Sequence, residues 1–201
     1  MKQVPLILLY AFSTVSASAQ VVRASSLPAL ERTVPVAAPR RGTEPEYGSV
    51  GRVLDGDTYE VLLPAGLVRV RLRGVDAPEL NQPFGQQAAD SVARLLRGRL
   101  LEVDRGAADQ YGRALAGLRV SVRRAGGSRR WLRVDSLLVA RGWAWAYAPG
   151  QTTTRWTVLQ QTAQRGHRGL WRCGTAAVVR PGVWRAYNKQ EKARAWVGCP
   201  R

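Results

Sequence analysis

Three short segments in the first half of the chain constrain its fold more than any other feature. Val50–Leu54 and Tyr59–Leu63 are rich in apolar and β-branched residues, and an Asp-Gly-Asp-Thr turn separates them. Leu67–Arg73 alternates apolar residues with arginines, which is the period of a β-strand that buries one face. A Pro-Ala-Gly turn joins the last two segments, so the pattern predicts three consecutive strands.

The rest of the central region contains both helical and strand patterns. The further predicted elements are helices at Gln86–Leu96, Asp135–Arg141 and Thr154–Arg165 and strands at Leu100–Arg105, Ala114–Val122 and Arg130–Val134. One helix among the strands and two after them indicate a mainly β, α+β domain. The predicted architecture is a closed five-stranded Greek-key barrel of the oligonucleotide-binding type, the OB-fold, with about three helices.

The charge balance narrows the choice of partner. The 201 residues include 31 Lys and Arg against 14 Asp and Glu, which gives a net charge of +17. This excess favours a partner of dense negative charge, most simply nucleic acid, over a basic surface that only keeps the protein soluble. The one histidine, His167, is too few for a histidine-rich zinc site, and no Ser or Asp motif accompanies it.

The N-terminal residues have the pattern of a secretory signal. Lys2 precedes a mostly apolar run, Val4–Val15, and the small residues that follow predict cleavage after Ala19. The alternative is an uncleaved membrane anchor, for which the run is short. Export to the periplasm or out of the cell would favour a disulfide between Cys173 and Cys199, whereas inside a cell both would stay thiols.

Composition divides the chain into four segments. Residues 1–19 are the predicted signal peptide, and residues 20–47 form a Pro-rich stretch without sustained periodicity, which predicts a flexible linker. Residues 48–172 hold the predicted barrel. Residues 173–201 form a basic C-terminal extension, in which Tyr187–Trp196 is compatible with a helix rich in Lys and Arg.

Carboxylates and arginines in the barrel segment carry the candidate chemistry. Asp55 and Asp57 lie in the first turn, Asp76 follows the third predicted strand, and Arg71 and Arg113 lie on either side of Asp76 in sequence. A metal-dependent phosphodiesterase needs carboxylates to hold a hard cation and arginines to hold a phosphate whose charge grows during reaction. Each motif alone has a simpler interpretation, because Asp-Gly-Asp-Thr is a good turn and Arg71 could be an exposed strand charge.

Several separated sequence blocks agree with one known family. These blocks are Asp55-Gly56-Asp57-Thr58, Arg71 with Asp76-Ala77-Pro78-Glu79, Gln82-Pro83-Phe84-Gly85, Tyr111-Gly112-Arg113, Arg141-Gly142-Trp143-Ala144 and Gly169-Leu170-Trp171. In this order and at this spacing they resemble the staphylococcal nuclease (thermonuclease-like) family over residues 48–172. The resemblance implies an enzyme that hydrolyses phosphodiester bonds on a small barrel.

The resemblance implies a calcium site. Asp57 and Asp76 would ligate Ca²⁺ through their carboxylates and Ala77 through its backbone carbonyl, with Asp55 and Thr58 in support. Because these protein ligands are few, water and the substrate phosphate would complete the coordination shell. Metal and substrate would therefore favour each other's binding.

The resemblance also assigns roles in cleavage and in substrate binding. Glu79 would orient or deprotonate the attacking water. Arg71 and Arg113 would hold the phosphate, since a guanidinium group is planar and permanently charged. Tyr111 would contact the phosphate or stack on a base, with partial burial beside Arg113 as the alternative. Tyr147 would be the stacking aromatic residue of the nucleotide pocket.

These assignments together predict an exported, Ca²⁺-dependent, sugar-nonspecific endonuclease. It would act as a monomer on DNA and RNA, preferably single-stranded, and would leave 3′-phosphate ends as the family does. Two alternatives stay open from the sequence. The barrel could be a non-catalytic nucleic-acid-binding module, or the basic extension could tie the protein to anionic polymers of the cell envelope.

Overall fold

The structure is a computed structural model that describes residues 44–147, 155–176 and 178–195. Its strands are β1 (Glu46–Val53), β2 (Thr58–Leu63), β3 (Gly66–Leu72), β4 (Val75–Asp76), β5 (Leu101–Ala108), β6 (Ala114–Arg123), β7 (Arg129–Arg133) and β8 (Trp145–Ala146). Its helices are α1 (Gly85–Leu96), α2 (Val134–Ala140), α3 (Arg155–Arg165), α4 (Pro181–Ala186) and α5 (Lys189–Arg194), with a 3₁₀ turn at Gly169–Trp171.

Five of the strands close into a barrel. The sheet order is β3-β2-β1-β5-β6-β7, and β3 also pairs with β6, so β1, β2, β3, β6 and β5 form a ring. The closing pair is parallel, with Val70 opposite Ala114 and Leu72 opposite Ala116, whereas the other pairs of the ring are antiparallel. This confirms the predicted OB-fold barrel.

Alternation along the strands fills the barrel with apolar side chains. On β3, Val70 and Leu72 are buried in the core, while Arg69 and Arg71 lie on the opposite face. Helix α1 adds buried side chains such as Val92 to the same core. Burial of each large apolar side chain contributes about 1.5–3 kcal/mol, so the barrel can hold charged groups at its surface in fixed positions.

Two features of the sheet differ from the sequence prediction. β1 begins at Glu46 rather than near Val50, and a Cβ at Gly48 would come within 2.3 Å of the Leu62 carbonyl oxygen. Because glycine is uncommon in strands, the sequence pattern does not indicate a strand in this part of β1. The second feature is a small sheet of β4 and β8, whose two-residue strands are too short to show a period.

The C-terminal extension contains two short helices where the sequence suggests one at Tyr187–Trp196. Helix α4 ends at Ala186, and Asn188 begins α5 by accepting hydrogen bonds from the backbone of Gln190 and Glu191. The Glu191 carboxylate accepts in return from the Asn188 backbone at 2.7 Å. This capping box fixes the start of a new helix and separates it from α4. Trp196 lies outside the described residues.

Several predictions concern residues that the structure does not describe. The predicted signal peptide and nearly all of the predicted linker lie within residues 1–43, outside the described part of the chain. Cys199 also lies outside it, so the pairing of Cys173 with Cys199 stays a prediction. Among the helices of the described residues, none is long and apolar enough to cross a membrane.

Asp135 connects α2 to its surroundings. Its side chain is buried and accepts hydrogen bonds from Arg133, Ser136 and Arg155. Burial raises the pKa of Asp135, but the hydrogen bonds from Arg133 and Ser136 outweigh it and hold the pKa below its ordinary value. The stabilisation is therefore present above the ordinary pKa and is lost as the pH falls through the lowered pKa of the folded state.

We expect Asp135→Asn to lower the free energy of unfolding by about 1–3 kcal/mol at pH 7, because its arginine partners lose their anion. The difference from wild type should shrink as the pH is lowered towards 2. Urea unfolding across this range checks both statements, with Asp90→Asn on the exposed face of α1 as a control. An equal loss at all pH values would show that the charge of Asp135 does not stabilise α2.

Candidate active site

The turn between β1 and β2 is built around the Asp55 carboxylate. Its Oδ1 accepts hydrogen bonds from the backbone nitrogens of Asp57 at 2.9 Å and Thr58 at 2.7 Å. The Tyr59 hydroxyl donates to the Gly56 carbonyl at 2.8 Å from inside the core. Asp55 therefore shapes the turn that presents Asp57, and its supporting role at a metal site stays a prediction.

Arg71 lies between two acidic residues. Its Nη2 donates to Asp76 Oδ1 at 2.9 Å, and its Nη1 forms an ion pair with Asp57 Oδ2. The same Asp57 oxygen accepts from the backbone nitrogen of Ala77 at 2.5 Å. The side chains of Arg71, Asp57 and Asp76 are only 16%, 7% and 14% exposed, so this contact is largely shielded from water. The predicted metal ligands and the predicted phosphate-binding arginine thus lie together.

The buried charges in this cluster are not balanced. Burial raises the pKa of Asp57 and of Asp76, and attraction to Arg71 lowers both without cancelling the effect of burial. Burial lowers the pKa of Arg71, but Asp57 and Asp76 reverse this and the net pKa is raised. One guanidinium group therefore compensates two carboxylates incompletely, and a further positive charge would favour their ionised forms.

The donor set fits a hard divalent cation. Asp57, Asp76 and the carbonyl of Ala77 supply only oxygen atoms, which is the preference of Ca²⁺ and Mg²⁺. No group of three or more His, Cys, Asp or Glu side chains arranged for a metal occurs in the described part of the chain. A cation held here would therefore need water or substrate oxygens to complete its coordination.

Arg113 approaches the cluster from the loop between β5 and β6. Asp109 Oδ2 accepts from its Nε at 2.8 Å and its Nη2 at 2.7 Å, and Arg113 Nη1 donates to Thr58 Oγ1 at 3.4 Å. The guanidinium carbon lies 5.3 Å from the centre of the Tyr111 ring. Asp109 thus orients Arg113, a role that the sequence analysis did not assign. The four-residue spacing between Asp109 and Arg113 was the sequence feature that could have predicted this ion pair.

Glu79 lies at the rim of the cluster and contacts the C-terminal extension. Arg185 of α4 donates from Nη1 to Glu79 Oε1 at 2.5 Å. Sequence reasoning missed Arg185 because the two residues are 106 positions apart and no local pattern links them.

The residues of this site line one open cleft of about 480 Å³. Its lining consists of Asp55, Asp57, Arg69, Arg71, Asp76, Ala77, Pro78, Glu79, Gln110, Tyr111, Arg113 and Arg185. Tyr111 is 74% exposed and can offer its ring to a ligand. Tyr147 follows β8, is half-exposed and is not among the described residues that line the cleft. Its stacking role therefore stays a prediction without support from this geometry.

Sequence comparisons identify the family to which this site belongs. The sequence profile described as "Staphylococcal nuclease homologue" matches residues 69–173. A micrococcal nuclease of Shigella flexneri is 34% identical over 144 residues, which cover 71% of this chain and 82% of that protein. An uncharacterized endonuclease of Escherichia coli O157:H7 is 37% identical over 139 residues, which cover 69% and 84%. The chain belongs to the staphylococcal nuclease family.

Membership and geometry together establish the class of activity. The protein is a nuclease, a hydrolase that acts on nucleic acids. In this nuclease the two predicted carboxylate ligands contact one arginine, the second arginine lies beside Thr58, and Glu79 lies on the same cleft. The arrangement can hold an anionic phosphate between the two arginines, and the Glu79 carboxylate on the same cleft can accept a proton.

The Asp55 turn provides a test of how the site is held. We expect Asp55→Ala to lower the free energy of unfolding by about 1–2 kcal/mol, because two backbone N–H groups lose their acceptor. Asp55→Asn keeps an oxygen acceptor in the same position and should retain most of the stability. Chemical denaturation of both variants checks this. If the free energy of unfolding falls equally in both variants, the charge of Asp55 rather than its hydrogen bonds stabilises the turn.

Proposed function

We propose that this nuclease is a Ca²⁺-dependent, sugar-nonspecific endonuclease of DNA and RNA that leaves 3′-phosphate ends. The observation that carries the proposal is the position of Arg71 between Asp57 and Asp76, with Arg113 and Glu79 on the same cleft. The donors are oxygens only, and their buried carboxyls lack full compensation by Arg71. These features support a hard cation as the cofactor.

The cleft residues would have different roles in phosphodiester hydrolysis. Asp57, Asp76 and the Ala77 carbonyl would hold Ca²⁺, which when bound supplies positive charge beside the phosphate. Arg71 and Arg113 bind the phosphate oxygens and stabilise the charge that grows on them. Asp109 and Thr58 keep Arg113 in position for this task.

Glu79 would act on the attacking water. Its side chain is about one-third exposed at the cleft, so water can reach it. A carboxylate within hydrogen-bond distance of a water orients it and accepts its proton as the new P–O bond forms. The bond between phosphorus and the 5′-oxygen of the next nucleotide would break, and that oxygen would leave with the bonding electrons and take a proton from the solvent. The phosphate would then stay on the 3′ side.

The character of the cleft supports a substrate recognised by its backbone. Most of its lining side chains are charged, and such groups contact phosphate without reading the base or the 2′-hydroxyl. Tyr111 is largely exposed beside Arg113 and offers a stacking surface that every base can use. A flexible single strand fits such a cleft better than a rigid duplex does, so we infer a preference for single-stranded DNA and RNA.

Cleavage of single-stranded DNA and RNA by residues 20–201 tests the proposal. We expect activity that depends on added Ca²⁺, that EDTA abolishes and that renewed Ca²⁺ restores. Arg71→Ala and Glu79→Gln should each lower kcat about 10²–10³-fold, because each removes a group that acts in the transition state. Arg119→Ala is the matched control for loss of an arginine, because Arg119 lies on β6 and is not among the described residues that line the cleft.

The same assay separates the enzyme from a binding module on the same fold. Salt-sensitive binding of an oligonucleotide without cleavage at any Ca²⁺ concentration would contradict the catalytic proposal. Full cleavage in EDTA would contradict the metal requirement alone. End-labelling of the products distinguishes 3′-phosphate from 5′-phosphate termini.

We also propose that the nuclease is exported to the periplasm or the medium and works as a monomer. The signal-like N-terminal sequence supports export, and cleavage after Ala19 would make Gln20 the first residue of the mature protein. Mass spectrometry of protein recovered from a bacterial host's periplasm and medium should give the mass of residues 20–201. A full-length mass found only in the membrane fraction would indicate an uncleaved anchor instead.

A further inference from the structure

The C-terminal extension is attached to the loop that carries Glu79. Gln82 Nε2 donates to the Val179 carbonyl at 2.6 Å, and Trp184 Nε1 donates to Asn81 Oδ1 at 3.0 Å. Gln82 and Trp184 are only 3% and 4% exposed. Both hydrogen bonds are thus donated by buried side chains, and the burial of Trp184 packs α4 against the nuclease domain.

Gln82 also connects this attachment to Glu79 itself. Its Oε1 accepts from the backbone nitrogen of Glu79 at 3.1 Å, and its backbone nitrogen donates to the Glu79 carbonyl at 2.8 Å. One buried amide side chain therefore contacts both the Glu79 backbone and the Val179 backbone. The same residue therefore holds the backbone of Glu79 and the backbone just before α4.

The residue after Trp184 reaches the active-site cleft. Arg185 lines the cleft and donates from Nη1 to Glu79 Oε1 at 2.5 Å. Within the described part of the chain, the other carboxylate oxygen of Glu79, Oε2, has no hydrogen-bond partner. The ion pair thus holds one oxygen of the carboxylate and leaves the second one available.

We propose that Arg185 is a positioning residue of this nuclease that acts through Glu79. It holds Oε1 so that Oε2 can accept the proton of the attacking water. The C-terminal extension therefore contributes a functional residue to the active site. This inference rests on the proposed function, because it requires Glu79 to act on the water.

The observed packing argues against an inhibitory contact. Release of Arg185 by movement of α4 would expose the buried side chain of Trp184 and would break the two hydrogen bonds that Gln82 and Trp184 donate. Arg185 is itself 57% exposed, and the cleft beside it is still about 480 Å³ in volume. An arginine that blocks the site would instead be expected to fill the cleft and to be weakly attached.

The first test separates kcat from KM. We expect Arg185→Ala to lower kcat for single-stranded DNA about 10- to 100-fold, because the Glu79 carboxylate loses its fixed orientation, with KM within about threefold of wild type. Arg185→Lys keeps a donor and a positive charge and should recover part of kcat. Arg180→Ala removes an exposed arginine from the same segment whose side chain makes no cap hydrogen bond, so it is the matched control.

A double-mutant cycle tests whether Arg185 acts through Glu79. In the Glu79→Gln background, a further Arg185→Ala change should alter kcat by less than about twofold, since the carboxylate that Arg185 positions is gone. Independent effects would multiply, and that result would overturn the proposal. Thermal unfolding of every variant verifies that each is folded, and Arg185→Lys serves if the alanine variant is not.

The outcomes distinguish this inference from the proposed function. A wild-type protein that does not cleave, or a Glu79→Gln variant that cleaves normally, contradicts the proposed function itself. If wild type cleaves and Glu79→Gln is crippled but Arg185→Ala matches wild type, only the role of Arg185 is wrong. A higher kcat in Arg185→Ala would indicate inhibition, and a higher KM with normal kcat would indicate a phosphate contact.

Discussion

The site of this nuclease depends on the contact of Arg71 with Asp57 and Asp76. A charge removed from water is costly unless it is paired, so moving Arg71 would leave both carboxylates without this counter-ion. The contact requires the β1–β2 turn, strand β3 and strand β4 to be in register at one edge of the barrel. The chemistry therefore imposes a geometric condition that only a rigid framework can meet.

The barrel meets this condition through its core of apolar side chains. Its apolar side chains alternate with the charged ones along β3, so the strand that buries Val70 and Leu72 also directs Arg71 to the site. The parallel pairing of β3 with β6 places Ala114 opposite Val70 and so brings the preceding residue, Arg113, to the same edge. The pairing of β3 with β6 that closes the barrel thus brings Arg71 and Arg113 to the same edge, although they are far apart in sequence.

Features that depend on neighbouring residues could be predicted from the sequence, whereas contacts between distant residues could not. Period-two alternation and turn residues predicted most barrel strands. The family resemblance assigned Asp57, Arg71 and Asp76 to one site, and in the structure these residues line one cleft. The start of β1 was missed because a glycine replaces a β-former at a close backbone contact. Arg185 was missed because its partner is 106 residues away, and the two are brought together by the packing of Trp184 and by the hydrogen bond from Gln82 to Val179. Long-range contacts between short elements leave no periodic trace in sequence.

The shared use of Arg71 has a consequence for binding. In the free protein, this guanidinium is the counter-ion of both carboxylates, and burial keeps the pKa of each raised despite it. A phosphate that binds Arg71 competes with those carboxylates and leaves them in need of a cation. A cation on the carboxylates in turn leaves Arg71 available to phosphate. Each ligand thus relieves the cost of binding the other, so we expect their affinities to rise together and by the same factor.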